Sequence, residues 1–487
     1  MLTVFLSTLL VSQGVSAGTL DRRASASSWT SSANGQYKLS QFDAPVLGGN
    51  NPGLQDWDFN IYEKSRQKQT VKGFGACVTD STVTAFNRLP SNTRAQLLRD
   101  LMTSDGINFN LMRHTIASSD LSGDPAYSYD DNNNQDDPNL NGFNLGDRGN
   151  SMAQLLAEMR RLQVDMTLLG SPWSAPGWMK LNKKIMGQLE RNNLDPAHRQ
   201  HYANYFVKYI QAYEKAGAHI DAVTLQNEPF NSKAQMPTMY VYADESGQII
   251  RDNLGPAIKN AGLNTKIWAW DHNTGGGPDD YYGYPTTVFN TAPQFVNTAA
   301  WHCYAGNNPE GWAPLTRFHN SFPNSEQYMT ECWTATGITD WKHSSNFALM
   351  PLQNWANGII SWALGTYTGG GPSISGNDAC HQCTGLVTVD PNSGTYQKTI
   401  DYYMMGQFSK FMPKGGKIVD GTGSYLFSEN EGLEMVASIN PDGTRTVVIQ
   451  NRYNHDVFVK VKAEAEGQPW TAKVPGTSVT TWVLPQA

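Results

Sequence analysis

The chain has 487 residues, of which 39% are hydrophobic and 16% are charged, and its formal net charge is −7 at pH 7. This weakly acidic balance offers no basic face for phosphates or anionic lipid, so nucleic acid and membrane surfaces are poor partners. With 14 Trp and 21 Tyr, the chain instead suits a neutral ligand such as a sugar ring, on which aromatic side chains stack.

The N-terminus has the pattern of an export signal. An apolar run over residues 2–15 is followed by the small residues Ser16, Ala17 and Gly18, which predicts a signal peptide over residues 1–17. Arg22 and Arg23 form a dibasic processing site, so residues 18–23 are interpreted as a short propeptide. An N-terminal strand or helix is the alternative. Since no other apolar run reaches the roughly 18 residues that span a bilayer, we expect a secreted, extracellular protein.

One rhythm repeats over residues 71–410: a short apolar run rich in β-forming residues, a polar or aromatic tip, and a segment with helical periodicity. Eight such runs lie at residues 71–79, 107–116, 164–173, 220–229, 266–273, 297–304, 327–333 and 358–366. Helical spacing of apolar residues follows between them, for example at residues 92–102, 152–162, 198–215 and 247–261. Eight β–α units predict an α/β fold, a (β/α)8 TIM barrel.

The two chain ends differ from this central region. Residues 24–70 are rich in Ser, Gly and Asn, and residues 411–487 alternate apolar and polar residues between turns. This predicts a β-sandwich side domain to which N-terminal strands contribute, with a helix at residues 399–411 leading from the barrel into it. The Asp- and Asn-rich segment 130–141 is interpreted as a surface loop. With no evident dimer element, we expect a monomer.

Glutamates stand at two of the predicted strand ends. Active sites of TIM barrels lie at the C-terminal ends of the strands, so polar residues after each apolar run are informative. The fourth run ends with Glu228 and the seventh with Glu331. A lone glutamate there is usually a solvated rim residue, but two on these strands can flank one glycosidic bond at the roughly 5 Å separation of a retaining mechanism. Asn227, beside Glu228, can hydrogen-bond a sugar 2-hydroxyl.

Seven motifs lie in order along the predicted strands. They are Gly73-Phe74-Gly75-Ala76, Arg113, Ser118-Ser119-Asp120, Ser171-Pro172-Trp173-Ser174-Ala175-Pro176, Asn227-Glu228-Pro229, His302-Cys303-Tyr304 and Thr330-Glu331. From about residue 70 to the C-terminus, this set resembles glycoside hydrolase family 30. The resemblance implies a TIM barrel with an attached β-sandwich and a retaining mechanism.

When the functional residues of the family are matched by position, the resemblance implies that Glu228 is the acid/base and Glu331 the nucleophile. Arg113 on strand two would hydrogen-bond the nucleophile, and an arginine paired for structural reasons is the alternative. Asp271 and His272 either reach the substrate or belong to a loop. No metal or organic cofactor is implied. The residues that would grip or line the sugar site are Asp120, Trp173, Asn227, His302, Tyr304, Trp333 and Trp362.

Details of these motifs resemble the secreted fungal endo-β-1,6-glucanase branch of the family. Cys303 stands where many relatives have a bulky aromatic residue, and Cys332 and Trp333 follow the nucleophile. The branch implies hydrolysis of internal β-1,6-glucosidic bonds in a cell-wall β-glucan such as pustulan. The alternatives are a xylanase or a β-glucosidase/glucosylceramidase of the same family, and a catalytically silent glucan-binding protein.

The chain has five cysteines, too few for a disulfide framework at this size. Cys380 and Cys383 form a C-x-x-C pair in a loop, where export favours a local disulfide over zinc binding or redox chemistry. Cys77, Cys303 and Cys332 remain, so at least one thiol should be free.

Overall fold

The computed structural model describes residues 25–50, 53, 56–188, 190–231, 233–275, 283–304, 309–332 and 341–486. The predicted signal peptide, the predicted propeptide and Trp333 lie outside these described residues. Within the described ranges, no helix is long and apolar enough to cross a membrane.

Five short strands precede the central domain. They are β1 (Ser27–Ser32), β2 (Ser40–Phe42), β3 (Val46–Leu47), β4 (Asp56–Ile61) and β5 (Gln67–Thr70).

Eight parallel strands then close into a barrel, which confirms the predicted TIM barrel. They are β6 (Gly73–Val78), β7 (Leu111–Ile116), β8 (Thr167–Pro172), β9 (Ala222–Thr224), β10 (Lys266–Asn273), β11 (Val296–His302), β12 (Glu326–Glu331) and β13 (Gly358–Ser361). The ring closes where β13 pairs with β6. Gly75 permits the close approach of β6 to β7, since a Cβ there would lie 1.7 Å from the Leu111 carbonyl oxygen.

The barrel interior is a packed core. Seven of its strands contribute to one buried cluster, in which the rings of Trp268 and Tyr328 stack with centroids 4.2 Å apart. The remaining members are Leu111, Leu169, Ala222, Ala300 and Ile360. Because the interior is filled with side chains, ligands are expected only at the barrel mouth.

In the described part of the chain, ten α-helices surround or follow these strands. They are α1 (Asp80–Phe86), α2 (Ser91–Met102), α3 (Gly146–Leu162), α4 (Arg199–Lys215), α5 (Ala243–Ile249), α6 (Gly255–Asn260), α7 (Gly283–Thr291), α8 (Pro309–Ser321), α9 (Trp341–Gln353) and α10 (Ile400–Ser409). The first begins with a capping box, in which the Thr79 side chain accepts from the Thr82 N–H. Short 3₁₀ turns lie at Asn132–Asn134, Gly177–Met179 and Pro196–His198.

Sequence patterns placed two boundaries incorrectly. The single helix predicted at residues 247–261 is two helices, α5 and α6, joined by a wide π turn at Ile250–Leu254. The strand predicted at residues 220–229 ends at Thr224, because the following residues leave the barrel wall to form the mouth. Ile250 and Leu254 continue the apolar helical spacing past α5, so the pattern alone could not mark that boundary.

Ten further strands follow the barrel strands. A small sheet contains β14 (Gly365–Tyr367), β15 (Val387–Asp390) and β16 (Thr395–Lys398). The others are β17 (Lys417–Val419), β18 (Ser424–Ser428), β19 (Glu431–Ile439), β20 (Arg445–Asn451), β21 (Val457–Ala463), β22 (Trp470–Val474) and β23 (Ser478–Leu484).

Strands from both chain ends form the β-sandwich. One sheet runs β2-β1-β23-β20-β19-β17-β5, with β18 on β19, and the other runs β3-β22-β21-β4. Between them lies a core separate from that of the barrel, with Phe59 and Ile61 from the N-terminal side beside Trp470 and Trp482. At the junction with the barrel, the Thr481 hydroxyl on β23 hydrogen-bonds Gln407 of α10.

Candidate active site

Two glutamates lie at the mouth of the barrel, Glu331 buried and Glu228 partly exposed. Glu331 is the last residue of β12, and Glu228 lies in the turn that follows β9. The backbone of Glu228 has a φ of 44°, which is uncommon for residues other than glycine. Its N–H donates to the Asp271 carbonyl at 3.0 Å, a contact that helps to hold the strained turn.

One imidazole lies against both carboxylates. Nδ1 of His302 is 3.1 Å from Oε1 of Glu228 and 3.9 Å from Oε1 of Glu331. The two oxygens are therefore separated by at most the sum of these distances. That limit fits the roughly 5 Å separation of retaining pairs and excludes most of the roughly 6.5–9.5 Å range of inverting pairs.

Arg113 on β7 links the two strand ends. Its Nη1 donates to Oε2 of Glu331 at 2.7 Å, and its Nη2 donates to Oδ1 of Asn227 at 2.6 Å and to Oδ2 of Asp271 at 2.9 Å. The side chain is fully buried. Arg113 therefore combines the predicted contact to Glu331 with an ion pair to a buried aspartate, so both interpretations of this residue apply.

Asp271 is the hub of the buried network. Its carboxylate accepts from Arg113 and His302 and from three hydroxyl groups, those of Ser171, Thr224 and Thr330. Burial alone would raise the pKa of Asp271, but the charges of Arg113 and His302 hold it well below its usual range. Asp271 is fully buried, and both Asp271 and His272 lie on β10 rather than in a loop.

Two side chains complete the hydrogen bonds of the glutamates. The Tyr304 hydroxyl donates to Oε1 of Glu331 at 2.8 Å, and the Asn231 amide donates to Oε2 of Glu228 at 2.8 Å. The Tyr304 backbone N–H in turn donates to the Asn273 side chain at 2.9 Å, which fixes this residue beyond the end of β11.

A predicted set of sugar-binding residues lies beside Arg113. The rings of Trp173 and Trp362 stack with centroids 5.2 Å apart, and the Arg113 guanidinium lies 4.9 Å from the Trp173 ring centroid. Asp120 accepts from the Cys380 N–H at 3.4 Å. Burial and the charge of Glu331 raise the pKa of Asp120 to about 7.

The two glutamates and His302 form one coupled acid–base system. Burial alone would lower the pKa of His302, but Glu331, Asp271 and Glu228 raise it to about 9. Burial raises the pKa of Glu331, against the charges of His302 and Arg113. Burial alone would also raise the pKa of Glu228, but His272 and His302 lower it to about 2. Since burial lowers the pKa of His272 to about 4, His302 supplies this positive charge at neutral pH.

Disulfides connect segments of the barrel mouth. Cys380 pairs with Cys383, which confirms the predicted local bridge. Cys303 pairs with Cys332, so β11 and β12 are joined covalently beside His302 and Glu331. Cys77 is buried and free, as the expectation of at least one free thiol required, and Arg113 Nη1 lies 3.9 Å from its sulfur.

Two groups of described residues have donor types and spacing that could hold a metal ion. One contains Glu228, His272 and His302, and the other is Cys303, Cys332 and His343. In the first, both ring nitrogens of His302 already face carboxylates. In the second, both sulfurs belong to a disulfide. Neither group is therefore assigned as a metal site.

The structure brings nine of the ten sequence-predicted site residues together, and Trp333 lies outside the described residues. The carboxylates of Glu228 and Glu331 lie next to Asn227, Arg113, His302 and Tyr304. Asp120, Trp173 and Trp362 lie on one side of this group. His302, which was expected to line the cleft or to support the residues that do, is fully buried beside both glutamates. Sequence reasoning missed Asn231, three residues after Glu228, because nothing in its surroundings marks it.

Family models match both domains of the chain. The "Glycosyl hydrolase family 30 TIM-barrel domain" matches residues 71–412, and the "Glycosyl hydrolase family 30 beta sandwich domain" matches residues 423–482. Together they cover the barrel and the C-terminal part of the sandwich.

Three of the similar proteins share one activity in their names. An endo-1,6-β-D-glucanase of Neurospora crassa is 56% identical over 99% of this chain and 98% of its own length. An endo-1,6-β-D-glucanase of Aspergillus fumigatus is 52% identical over 97% of each chain. The solved structure of the endo-β-1,6-glucanase BT3312 superposes with a TM-score of 0.81 at 27% identity, covering 95% of this chain and all of the other. The chain belongs to glycoside hydrolase family 30.

Proposed function

We propose that this protein is a retaining endo-β-1,6-glucanase that cleaves internal bonds of a cell-wall β-glucan by double displacement. The observation that carries the proposal is the pair of glutamates at the barrel mouth, both within 3.9 Å of one nitrogen of His302. The substrate class is taken from relatives that are 52% and 56% identical over nearly the whole chain.

Glu331 is the proposed nucleophile because its donors aim and stabilise a carboxylate. Arg113 and Tyr304 donate to different oxygens of Glu331 at 2.7 Å and 2.8 Å. In the first step, a Glu331 oxygen attacks the anomeric carbon, the glycosidic C–O bond breaks, and the leaving oxygen takes a proton from Glu228. In the second step, Glu228 removes a proton from water, which attacks the same carbon and releases Glu331.

Glu228 must hold a proton before the first step, although in the free site its pKa lies low. His302 can supply this proton, because its Nδ1 lies 3.1 Å from Oε1 of Glu228 and its own pKa is raised to about 9. The pair therefore shares one proton at neutral pH, and transfer from Nδ1 to Oε1 generates the competent acid without any change in net charge.

The sugar on the nonreducing side is proposed to lie against the surface formed by Trp173, Trp362 and Asp120. Aromatic rings pack on the apolar faces of a sugar, and a carboxylate accepts from its hydroxyls. Asn227 contributes its amide nitrogen to the 2-hydroxyl, because its Oδ1 already accepts from Arg113. We also propose that the protein is secreted and acts outside the cell as a monomer.

Reducing ends released from pustulan, laminarin and xylan test this function. We expect rapid release from pustulan, a β-1,6-glucan, and little from the β-1,3-glucan laminarin or from xylan. Equal or faster release from xylan would overturn the proposed substrate. Absence of release from all three would favour a glucan-binding protein without activity.

A further inference from the structure

The segment between β7 and α3 contains a buried carboxylate that no hydrogen-bond donor satisfies. Asp130 is 1% exposed, and neither of its two carboxylate oxygens has a hydrogen-bond partner among the described residues. A buried carboxylate without donors or a counter-charge is strongly destabilising, so such a group calls for a ligand. The sequence pattern had assigned this segment to the surface; for Asp130 that expectation is wrong.

Three side-chain oxygens converge next to Gly142. A Cβ at Gly142 would lie 2.9 Å from Oδ1 of Asp130, 3.3 Å from Oδ1 of Asn132 and 3.4 Å from Oδ2 of Asp137. The amide nitrogen of Asn132 donates to the Gln135 carbonyl at 3.1 Å, which fixes the amide so that its oxygen faces this point. The Gly142 N–H donates to Oδ2 of Asp137 at 2.6 Å, and because Gly142 has no side chain, the oxygens of Asp130 and Asn132 lie close to the same backbone.

Among the described residues, no side-chain cation forms an ion pair with Asp130 or Asp137. Lys208 on α4 is close enough to influence both, but its Nζ donates to the Leu140 carbonyl at 2.7 Å. In the described part of the chain, Lys208 forms no ion pair with either aspartate. Burial and the charge of Asp137 raise the pKa of Asp130 to about 6.

We propose that Asp130, Asn132 and Asp137 bind a single Ca²⁺ ion. Two carboxylates and an amide oxygen around one point are the hard oxygen ligands that Ca²⁺ selects, and their combined charge of −2 matches the ion. Calcium sites tolerate irregular loops and complete their coordination with backbone carbonyls and water, whereas Mg²⁺ demands near-ideal octahedral geometry.

The proposed ion would stabilise a loop beside the active site. The Trp178 indole N–H donates to the Asp130 carbonyl at 2.9 Å, and the Asn134 amide donates to the Lys183 carbonyl at 2.8 Å. Trp178 and Lys183 belong to the segment after β8, which begins with Trp173. The ion would therefore connect the segment that carries Asp120 with the segment that carries Trp173.

Terbium luminescence tests the site directly in the mature, metal-stripped protein. Tb³⁺ replaces Ca²⁺ at oxygen sites, and Trp178, hydrogen-bonded to Asp130, can sensitise its emission. We expect sensitised emission at a stoichiometry of one, displacement by Ca²⁺, and a rise in Tm of roughly 3 °C or more in saturating Ca²⁺. No emission and no rise in Tm, or an equal effect of Mg²⁺ and Ca²⁺, would overturn the assignment.

Three variants separate the site from general loop effects. D130N removes the buried charge, and G142A fills the space between the oxygens; both should weaken Ca²⁺ affinity at least about tenfold. D136N is the matched control, since Asp136 is an exposed carboxylate of the same loop. It should bind Ca²⁺ like the unmodified protein. Unchanged affinity in both D130N and G142A would contradict the proposal.

Discussion

Two fully buried arginines show how the same ion-pair chemistry serves the barrel mouth and the sandwich. Arg113 contacts Glu331 and Asp271, and Arg445 contacts Glu63 and Glu466. Around Arg445, the cluster joins the N-terminal segment to the C-terminal strands, and its further contact is the Pro485 carbonyl. Around Arg113, it continues through His302 to a second glutamate. A buried ion pair alone therefore does not indicate an active site.

The two clusters differ in the pKa shifts of their ionisable groups. At the mouth, the pKa of Glu331 is raised, that of Glu228 is lowered, and His302 is raised to about 9. Groups whose environments separate their pKa values are typical of acid–base chemistry. The sandwich cluster around Arg445 contains the carboxylates of Glu63 and Glu466 but no histidine.

The largest effect should come from Glu331. E331Q removes the nucleophile but keeps the size of the side chain and its contact with Tyr304, so turnover of pustulan should fall roughly 10⁴-fold or more while binding persists. Initial rates and isothermal titration with a β-1,6-gluco-oligosaccharide measure the two quantities. Turnover within tenfold of the unmodified enzyme would mean that Glu331 is not the nucleophile.

R113M should affect activity more than R445M does. Removing Arg113 leaves the carboxylates of Glu331 and Asp271 without their shared positive partner, and we expect kcat to fall roughly 10²–10³-fold. The fraction of folded protein, measured by circular dichroism, serves as the control. A small effect on kcat would mean that Arg113 is chiefly structural.

R445M should affect stability instead. Loss of one member of a buried ion pair costs about 3–5 kcal/mol in the free energy of unfolding, because the carboxylates stay buried without compensation. Urea unfolding measures this cost, and kcat per folded molecule at low temperature should be unchanged. A kcat reduced to the same degree as in R113M would remove the distinction between the two clusters.

H302Q should shift the pH profile. With His302 present, the proton shared with Glu228 is retained as pH rises, because the pKa of His302 is raised to about 9. Without the imidazole, only the carboxyl of Glu228 can hold that proton, so the alkaline limb of kcat/KM should move to lower pH by about one unit or more. A uniform loss at every pH, with no shift of the limb, would assign His302 a purely structural role.

Regular features were predictable from the sequence. The alternation of apolar runs and helical segments indicated the barrel, and Glu228 and Glu331 were recognisable because each follows a strand-like run. The burial of His302 was not predictable, since a residue at a strand end can face the cleft or the neighbouring strand. The Cys303–Cys332 bridge follows from the pairing of β11 with β12, a relation that sequence order suggests but spacing does not fix.

Composition correctly placed most of the loop at residues 130–141 on the surface, but it did not identify the buried aspartates. Asp and Asn usually face solvent, so the segment was assigned to the surface, yet Asp130 and Asp137 are both buried. Which carboxylates of an acidic loop turn inward depends on tertiary contacts, here those of Trp178 and Lys208 with the loop backbone. These residues are distant in sequence from Asp130, and no local pattern connects them.

The central claim is that Glu331 forms a covalent bond to the sugar. The enzyme is incubated with an activated 2-deoxy-2-fluoro-β-gentiobioside. The 2-fluoro group slows both steps of catalysis, the second step more than the first, so the glycosyl-enzyme should accumulate. Peptide mass spectrometry should then find one 2-fluoro-gentiobiosyl group per chain, on Glu331. A label on any other residue, or complete turnover of the reagent with the α-configured sugar as first product, would contradict the assignment of nucleophile and mechanism.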